Sequence, residues 1–191
     1  MHPDVCKFIS DSVYEGRLHA GAITASRVLA VPEASSEVIS KNAGILFMPV
    51  AHEGNTQASE EEVAAIVELV EQLQCCSLLG RKITLDDILI VAPYNMQVRA
   101  LQEKFPTGKV GTVDKFQGQE AAIVIVSMCS SDAGDSSRGL EFLLSKNRMN
   151  VAISRAQTLA IVVGSPNLAS TACTNLEQLE LVNLFCRVCG E

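Results

Sequence analysis

Apolar positions along the chain fall into two rhythms. Short runs that are apolar nearly throughout, Ile45 to Val50, Ile88 to Ala92, Val110 to Val113, Ile123 to Met128 and Leu159 to Val163, predict five buried strands. Elsewhere the spacing is helical. Val5, Phe8, Ile9 and Val13 follow Pro3 and predict a short amphipathic helix ending near Gly16. Ser59 and Glu62 form a capping box ahead of Val63, Ile66, Val67, Val70 and Leu73, one face of a long helix whose glutamates, Glu60 to Glu62, read as a solvated first turn favoured by the helix dipole. Asn95 is expected to cap a helix that carries Val98 and Leu101 and stops before Pro106, with further helices near 141 to 156 and 175 to 188. Residues 17 to 44 read as an irregular connection with a short strand at Val28 to Val31, and the Ser/Asp/Gly-rich stretch Ser130 to Gly139 as a mobile loop.

Apolar strands separated by helices imply a three-layer α/β domain, a mainly parallel sheet covered on both faces. The expected organisation is an N-terminal helix and connecting segment over 1–44 and the main domain over 45–191. Ligands of such sheets bind where strands end at their carboxyl side. Pro93-Tyr94, Asp114 to Glu120 and the helix Asn147 to Arg155 are therefore expected to converge on one edge.

Composition narrows this picture. Aromatics make up only 4% of residues and Trp is absent, which suits a core of Val, Ile, Leu and Ala. No apolar run is long enough to span a bilayer and the N-terminus lacks a signal-peptide pattern, so a cytoplasmic location without membrane contact is expected. The seven cysteines lack the paired spacing of a zinc site or disulfide scaffold and read as reduced thiols; Cys186-x-x-Cys189 is half a site at most. The net charge of −7 argues against a nucleic-acid binder until it is located. Residues 1 to 80 hold four Lys/Arg against eleven Asp/Glu, whereas residues 81 to 191 hold eleven of each, leaving room for a local basic groove.

Within that neutral part several side chains can carry chemistry. Arg148 and Arg155 lie two helical turns apart and are expected on one side of their helix, with Met149, Ala152, Ile153 and Ala156 as its packing face. An arginine fixed there can set its charged fork on terminal phosphates; two such arginines can equally be surface ion-pairing residues. In Asp114 to Glu120, DKFQGQE, Gly118 would let backbone approach a bound group and Glu120 can accept from a ribose hydroxyl or orient a metal-bound water, unless the segment is simply a turn between strands. Thr112 offers a hydroxyl to a nucleic-acid phosphate. Tyr94 can stack on a base or pack at the rim, and Gln97 one turn later can hydrogen-bond the strand. His2, His19 and His52 have no spacing that suggests a metal or catalytic pair. A G-x-x-x-x-G-K-[ST] phosphate loop, a magnesium-binding acidic pair after a strand, a Ser/His/Asp order and a G-x-G-x-x-G string are all absent, so what remains is the trans-acting half of a site.

In order, Met1-His2-Pro3, IVAPYNMQ at 90 to 97, VGTVDKFQGQEAAIVIVS at 110 to 127 and NRMNVAISRA at 147 to 156 resemble the C-terminal RecA-like domain of superfamily-1 helicases, including motifs IV, V and VI. The likeness is to the branch of the nonsense-mediated-decay and senataxin-like helicases and their bacterial relatives. It implies a P-loop-NTPase-like, RecA-like fold that closes on an N-terminal RecA-like domain, with ATP and Mg²⁺ in the cleft and single-stranded DNA or RNA across the top. It also implies Arg155 as a catalytic arginine finger, Gly118, Glu120 and Arg148 at the nucleotide, Pro93, Tyr94, Gln97 and Thr112 near the strand, and translocation usually 5′ to 3′. In the family a Tyr-Arg pair precedes Met-His-Pro; its absence here is the expectation of a fragment lacking the phosphate-loop domain. The alternative is a noncatalytic α/β partner-binding or regulatory module, and a third reading is a motor attached to a nuclease.

Overall fold

A computed structural model describes residues 1–132 and 139–190 of the chain. The expected mobile loop falls largely on residues 133–138, outside the described residues. In chain order the strands are β1 (Leu29–Ala30), β2 (Gly44–Pro49), β3 (Ser77–Leu78), β4 (Arg81–Lys82), β5 (Ile88–Val91), β6 (Lys109–Gly111), β7 (Ala121–Ser127) and β8 (Ala156–Gly164). The α-helices are α1 (Pro3–Val13), α2 (Glu60–Cys75), α3 (Asn95–Lys104), α4 (Leu140–Leu143), α5 (Lys146–Ser154) and α6 (Leu176–Cys189).

The five long-predicted strands form one sheet in the order β2-β8-β7-β5-β6, and every pairing in it is parallel. All seven residues of β7 are buried, as expected for a central strand with helices on both faces. One layer packs Val5, Ile9, Met149, Ile153, Leu181 and Phe185 from α1, α5 and α6 on one face of the sheet. The other layer packs Ile66, Leu69, Leu73 and Leu101 from α2 and α3 on the opposite face. This is the three-layer α/β RecA-like architecture.

Three details differ from the pattern-based reading. The predicted strand at 28 to 31 shortens to β1 and pairs with β3, which pairs with β4, in a small antiparallel sheet that the hydrophobic pattern did not announce. The helix expected over 141 to 156 is two helices, because the chain breaks at Leu144 and Ser145 restarts it, its hydroxyl accepting from the Arg148 amide. The cap of α3 is Tyr94, without a side-chain bond, and Asn95 is the first helical residue.

Candidate functional site

Parallel crossovers decide where the motif residues go. The segment that leaves β6 must return across the sheet to begin β7 at its opposite edge, since both strands run the same way. Thr112 and Asp114 therefore stay at the carboxyl edge, whereas Gly118 and Glu120 reach the amino edge. The helix α5 makes the same traverse in the same direction, ending where β8 begins. Arg148 and Arg155 are thus separated by about 10 Å of helix rise, and β7 itself sets the two edges about 20 Å apart. The expectation of a single convergent edge is corrected: the motifs form two clusters.

At the carboxyl edge, Pro93, Tyr94, Asn95, Thr112, Asp114 and Arg148 line a cleft of about 310 Å³. Arg148 lies with its guanidinium 3.8 Å from the centroid of Phe142, a cation–π contact that fixes it here rather than beside Glu120. Arg148 and Glu120, expected together at the nucleotide, thus lie at opposite edges. Tyr94 is buried against the same Phe142, ring centroids 5.2 Å apart, and its hydroxyl is buried without a hydrogen-bond partner among the described residues. An exposed stacking face is not what Tyr94 offers in this conformation; it is the wall of the cleft.

Gln97 is corrected more sharply. It is fully buried, its carbonyl oxygen accepting from the Ser59 amide at 2.9 Å and its NH₂ donating to the Ser127 hydroxyl at 2.8 Å. An amide so committed does not reach a strand on the surface.

At the amino edge, the Ala121 amide donates to the Arg155 carbonyl at 3.1 Å, which sets Arg155 beside Glu120. Arg155 terminates α5, and its Nε is buried without a hydrogen-bond partner among the described residues. Glu120 is exposed and accepts from the Gln157 side-chain Nε2 at 3.1 Å. The His2 amide donates to the Gln157 carbonyl at 2.7 Å, bringing Met1-His2-Pro3 to the same edge. Gly118 has φ +80°, and a Cβ there would meet nothing within 4 Å, so the glycine answers a left-handed turn and not a steric limit. Among the described residues no group of three or more His, Cys, Asp or Glu gathers to hold a metal ion.

Sequence reasoning missed a buried polar network under the carboxyl edge. Glu62, read from the sequence as part of a solvated helix start, is fully buried and accepts from Ser127, Cys129 and His52. The Ser59 hydroxyl accepts from the Glu62 amide, but the other half of the expected capping box is replaced, because Gln97 takes the Ser59 amide. Its neighbour Glu61 stays outside, its carboxyl held below the usual range first by a backbone amide and then by Ser59 and Asn55. Burial, and secondarily the Glu62 charge, pushes the Cys129 thiol up out of the reactive range. All seven cysteines are free. No helix among the described residues is long and apolar enough to cross a membrane.

Comparison with known proteins agrees with this architecture. A family model described as an AAA domain matches residues 1–167. Over 105 residues the chain is 35% identical to the probable RNA helicase armi of Drosophila melanogaster, covering 50% of this chain and 9% of that protein. It is 31% identical over 142 residues to the DNA replication ATP-dependent helicase/nuclease JHS1 of Arabidopsis thaliana, covering 73% of this chain and 10% of the relative. It is 28% identical over 172 residues to the DNA-binding protein SMUBP-2 of Rattus norvegicus, covering 85% and 17%. The chain thus spans a small part, at most 17%, of these three relatives. With five parallel strands between helix layers, the motif order along them and a family match over nearly the whole chain, the protein belongs to the AAA-domain family as a RecA-like domain of superfamily-1 helicases.

Proposed function

We propose that this chain is the C-terminal motor domain of an ATP-dependent DNA or RNA helicase, supplying an arginine finger at its amino edge and part of a single-strand track at its carboxyl edge. The observation that carries this reading is Arg155, whose Nε is buried without a partner among the described residues at the end of a rigid helix, beside exposed Glu120 and Gly118. An orphaned guanidinium nitrogen next to an exposed carboxylate and a left-handed glycine turn fits one half of a nucleotide site. Bound ATP with Mg²⁺ would supply a terminal phosphoryl group for hydrolysis, the free-energy source of a motor. The carboxylates and phosphate loop that would hold the metal and the phosphates belong, in this proposal, to a preceding RecA-like domain.

The residues of this chain have separable tasks. Arg155 neutralises charge developing on phosphoryl oxygens, an effect of about 10³-fold or more for arginine fingers. Glu120, steadied by Gln157, accepts from a ribose hydroxyl. Thr112, Pro93 and the cleft wall formed by Tyr94 bear on backbone phosphates of a single strand, and Arg148, fixed over Phe142, adds a positive charge there. Phosphate contacts serve DNA and RNA alike.

The test compares Mg²⁺-dependent ATP hydrolysis, with and without single-stranded DNA or RNA, by the 191-residue chain and by a longer protein including any upstream phosphate-loop domain. Strand-stimulated turnover by the longer protein alone supports the reading. No turnover by either favours the noncatalytic partner-binding alternative.

A further inference from the structure

Beneath the turn that carries Pro93 and Tyr94 lies the polar network centred on Glu62. One carboxylate, on the first turn of α2, accepts from the Ser127 hydroxyl at 2.6 Å, the Cys129 amide at 2.9 Å and His52 Nε2 at 3.0 Å. Because a carboxylate only accepts, the directions of the neighbouring bonds follow. Ser127 gives its proton to Glu62 and so is left to accept from the Gln97 NH₂ at 2.8 Å. Gln97, thus oriented, presents its carbonyl oxygen to the Ser59 amide at 2.9 Å. On the other side His52 donates from Nε2 to Glu62, its Nδ1 lies 2.7 Å from the Ser131 hydroxyl, and Ser131 accepts from the Asn55 amide at 2.9 Å.

Four segments are held by this one group: the loop after β2 through His52, the end of β7 through Ser127 and Cys129, the start of α2, and the first turn of α3 through Gln97. Two of them require holding. Cys129 has φ +53°, a left-handed conformation uncommon for a residue with a side chain, and its amide is the one Glu62 binds. The start of α3 has no side-chain cap of its own, and Gln97 ties its first turn by hydrogen bonds to Ser59 and Ser127.

We propose that Glu62 is a positioning residue for the single-strand edge, fixing through Ser127 and Gln97 the Pro93–Asn95 turn that walls the cleft. The proposal rests on the function proposed above, since it assigns the cleft a strand to bind. It also predicts an effect of polarity and not merely of volume. In Glu62→Gln the side chain keeps its shape, but its NH₂ group now donates toward Ser127, which already accepts from Gln97. The serine hydrogen loses its acceptor, and Gln97 competes for one oxygen.

The experiment uses Glu62→Gln and, because a buried charge change can impair folding, Ser127→Ala, which removes only the bridging hydroxyl. Amide hydrogen exchange on this chain is expected to quicken at Ser59 by about tenfold in both variants, while Cys129, whose acceptor oxygen is kept in Glu62→Gln, stays near its wild-type rate. In the full-length protein, oligo-dT and oligo-U affinity measured by fluorescence anisotropy falls about 3- to 30-fold while the half-saturating ATP concentration stays in place. A merely structural role would move both. Unchanged exchange at Ser59, or unchanged strand affinity beside a wild-type protein that binds, overturns the positioning role alone. A wild-type protein that binds neither oligonucleotide overturns the proposed function and this inference with it.

Discussion

Replacing Glu62 by alanine removes the acceptor of three hydrogen bonds at once, from Ser127 at 2.6 Å, Cys129 at 2.9 Å and His52 at 3.0 Å, all in a region closed to water. Each buried donor left without an acceptor costs about 1–3 kcal/mol. Release of the charge from the interior offsets part of that sum over three donors, and we expect a net loss of about 3–5 kcal/mol. Against a total stability of about 5–15 kcal/mol for a domain, this is a large fraction. Glu62→Gln should lose less, about 1.5–3 kcal/mol, because its remaining carbonyl oxygen still accepts. Urea unfolding followed by circular dichroism measures both, with the slope held at the wild-type value so that the shift in midpoint reports stability. A loss under about 1 kcal/mol for the alanine variant would refute the reasoning, since it would mean that water reaches these donors in the folded protein.

Two further outcomes follow from local geometry. At Gly164, where β8 ends, an added Cβ would lie 2.9 Å from Met128 Cγ and 3.0 Å from Met128 Cβ, so Gly164→Ala should cost about 1–3 kcal/mol by overpacking in the same unfolding assay. Asp87 receives both guanidinium NH groups of Arg81, at 2.6 and 2.9 Å, and this contact first, with the Thr84 hydrogen bonds, lowers its pKa from 3.8 to about 2. A depressed carboxylate stabilises the fold above its unfolded pKa; here that contribution should vanish as pH falls from 3.8 toward 2, and Asp87→Asn should flatten this part of the stability profile.

Much of the scaffold could be read from the sequence because burial on both faces leaves an unbroken apolar run. Ile88 to Val91 and Ala121 to Ser127 lie fully in the core and were found within two residues of their predicted limits. β3 and β4 were not, since two-residue strands of Ser-Leu and Arg-Lys carry no period. The candidate contacts were legible as residue types but not as places. Sequence spacing treats Thr112 and Glu120 as one segment, and only the parallel crossover sends them to opposite edges. Glu62 shows the limit most plainly: a glutamate in a first helical turn is ordinarily solvated, and a capping box with Ser59 accounts for it locally without any buried partner. Its partners Ser127 and Cys129 lie 65 and 67 residues away, so the fold, not the local sequence, buries it. Gln97 was misassigned for the same reason, its bonds reaching 30 and 38 residues along the chain.

The central claim is that the motif residues serve two separate edges, Arg155 the nucleotide and Arg148 the strand. It is tested most directly by measuring ATP turnover at saturating single strand, and strand affinity, for Arg155→Ala and Arg148→Ala in the full-length protein. The account predicts that Arg155→Ala lowers turnover by about 10³-fold with strand affinity retained, while Arg148→Ala weakens strand binding and spares turnover once strand saturates. Retained turnover in Arg155→Ala, or equal loss of both properties in both variants, would contradict it.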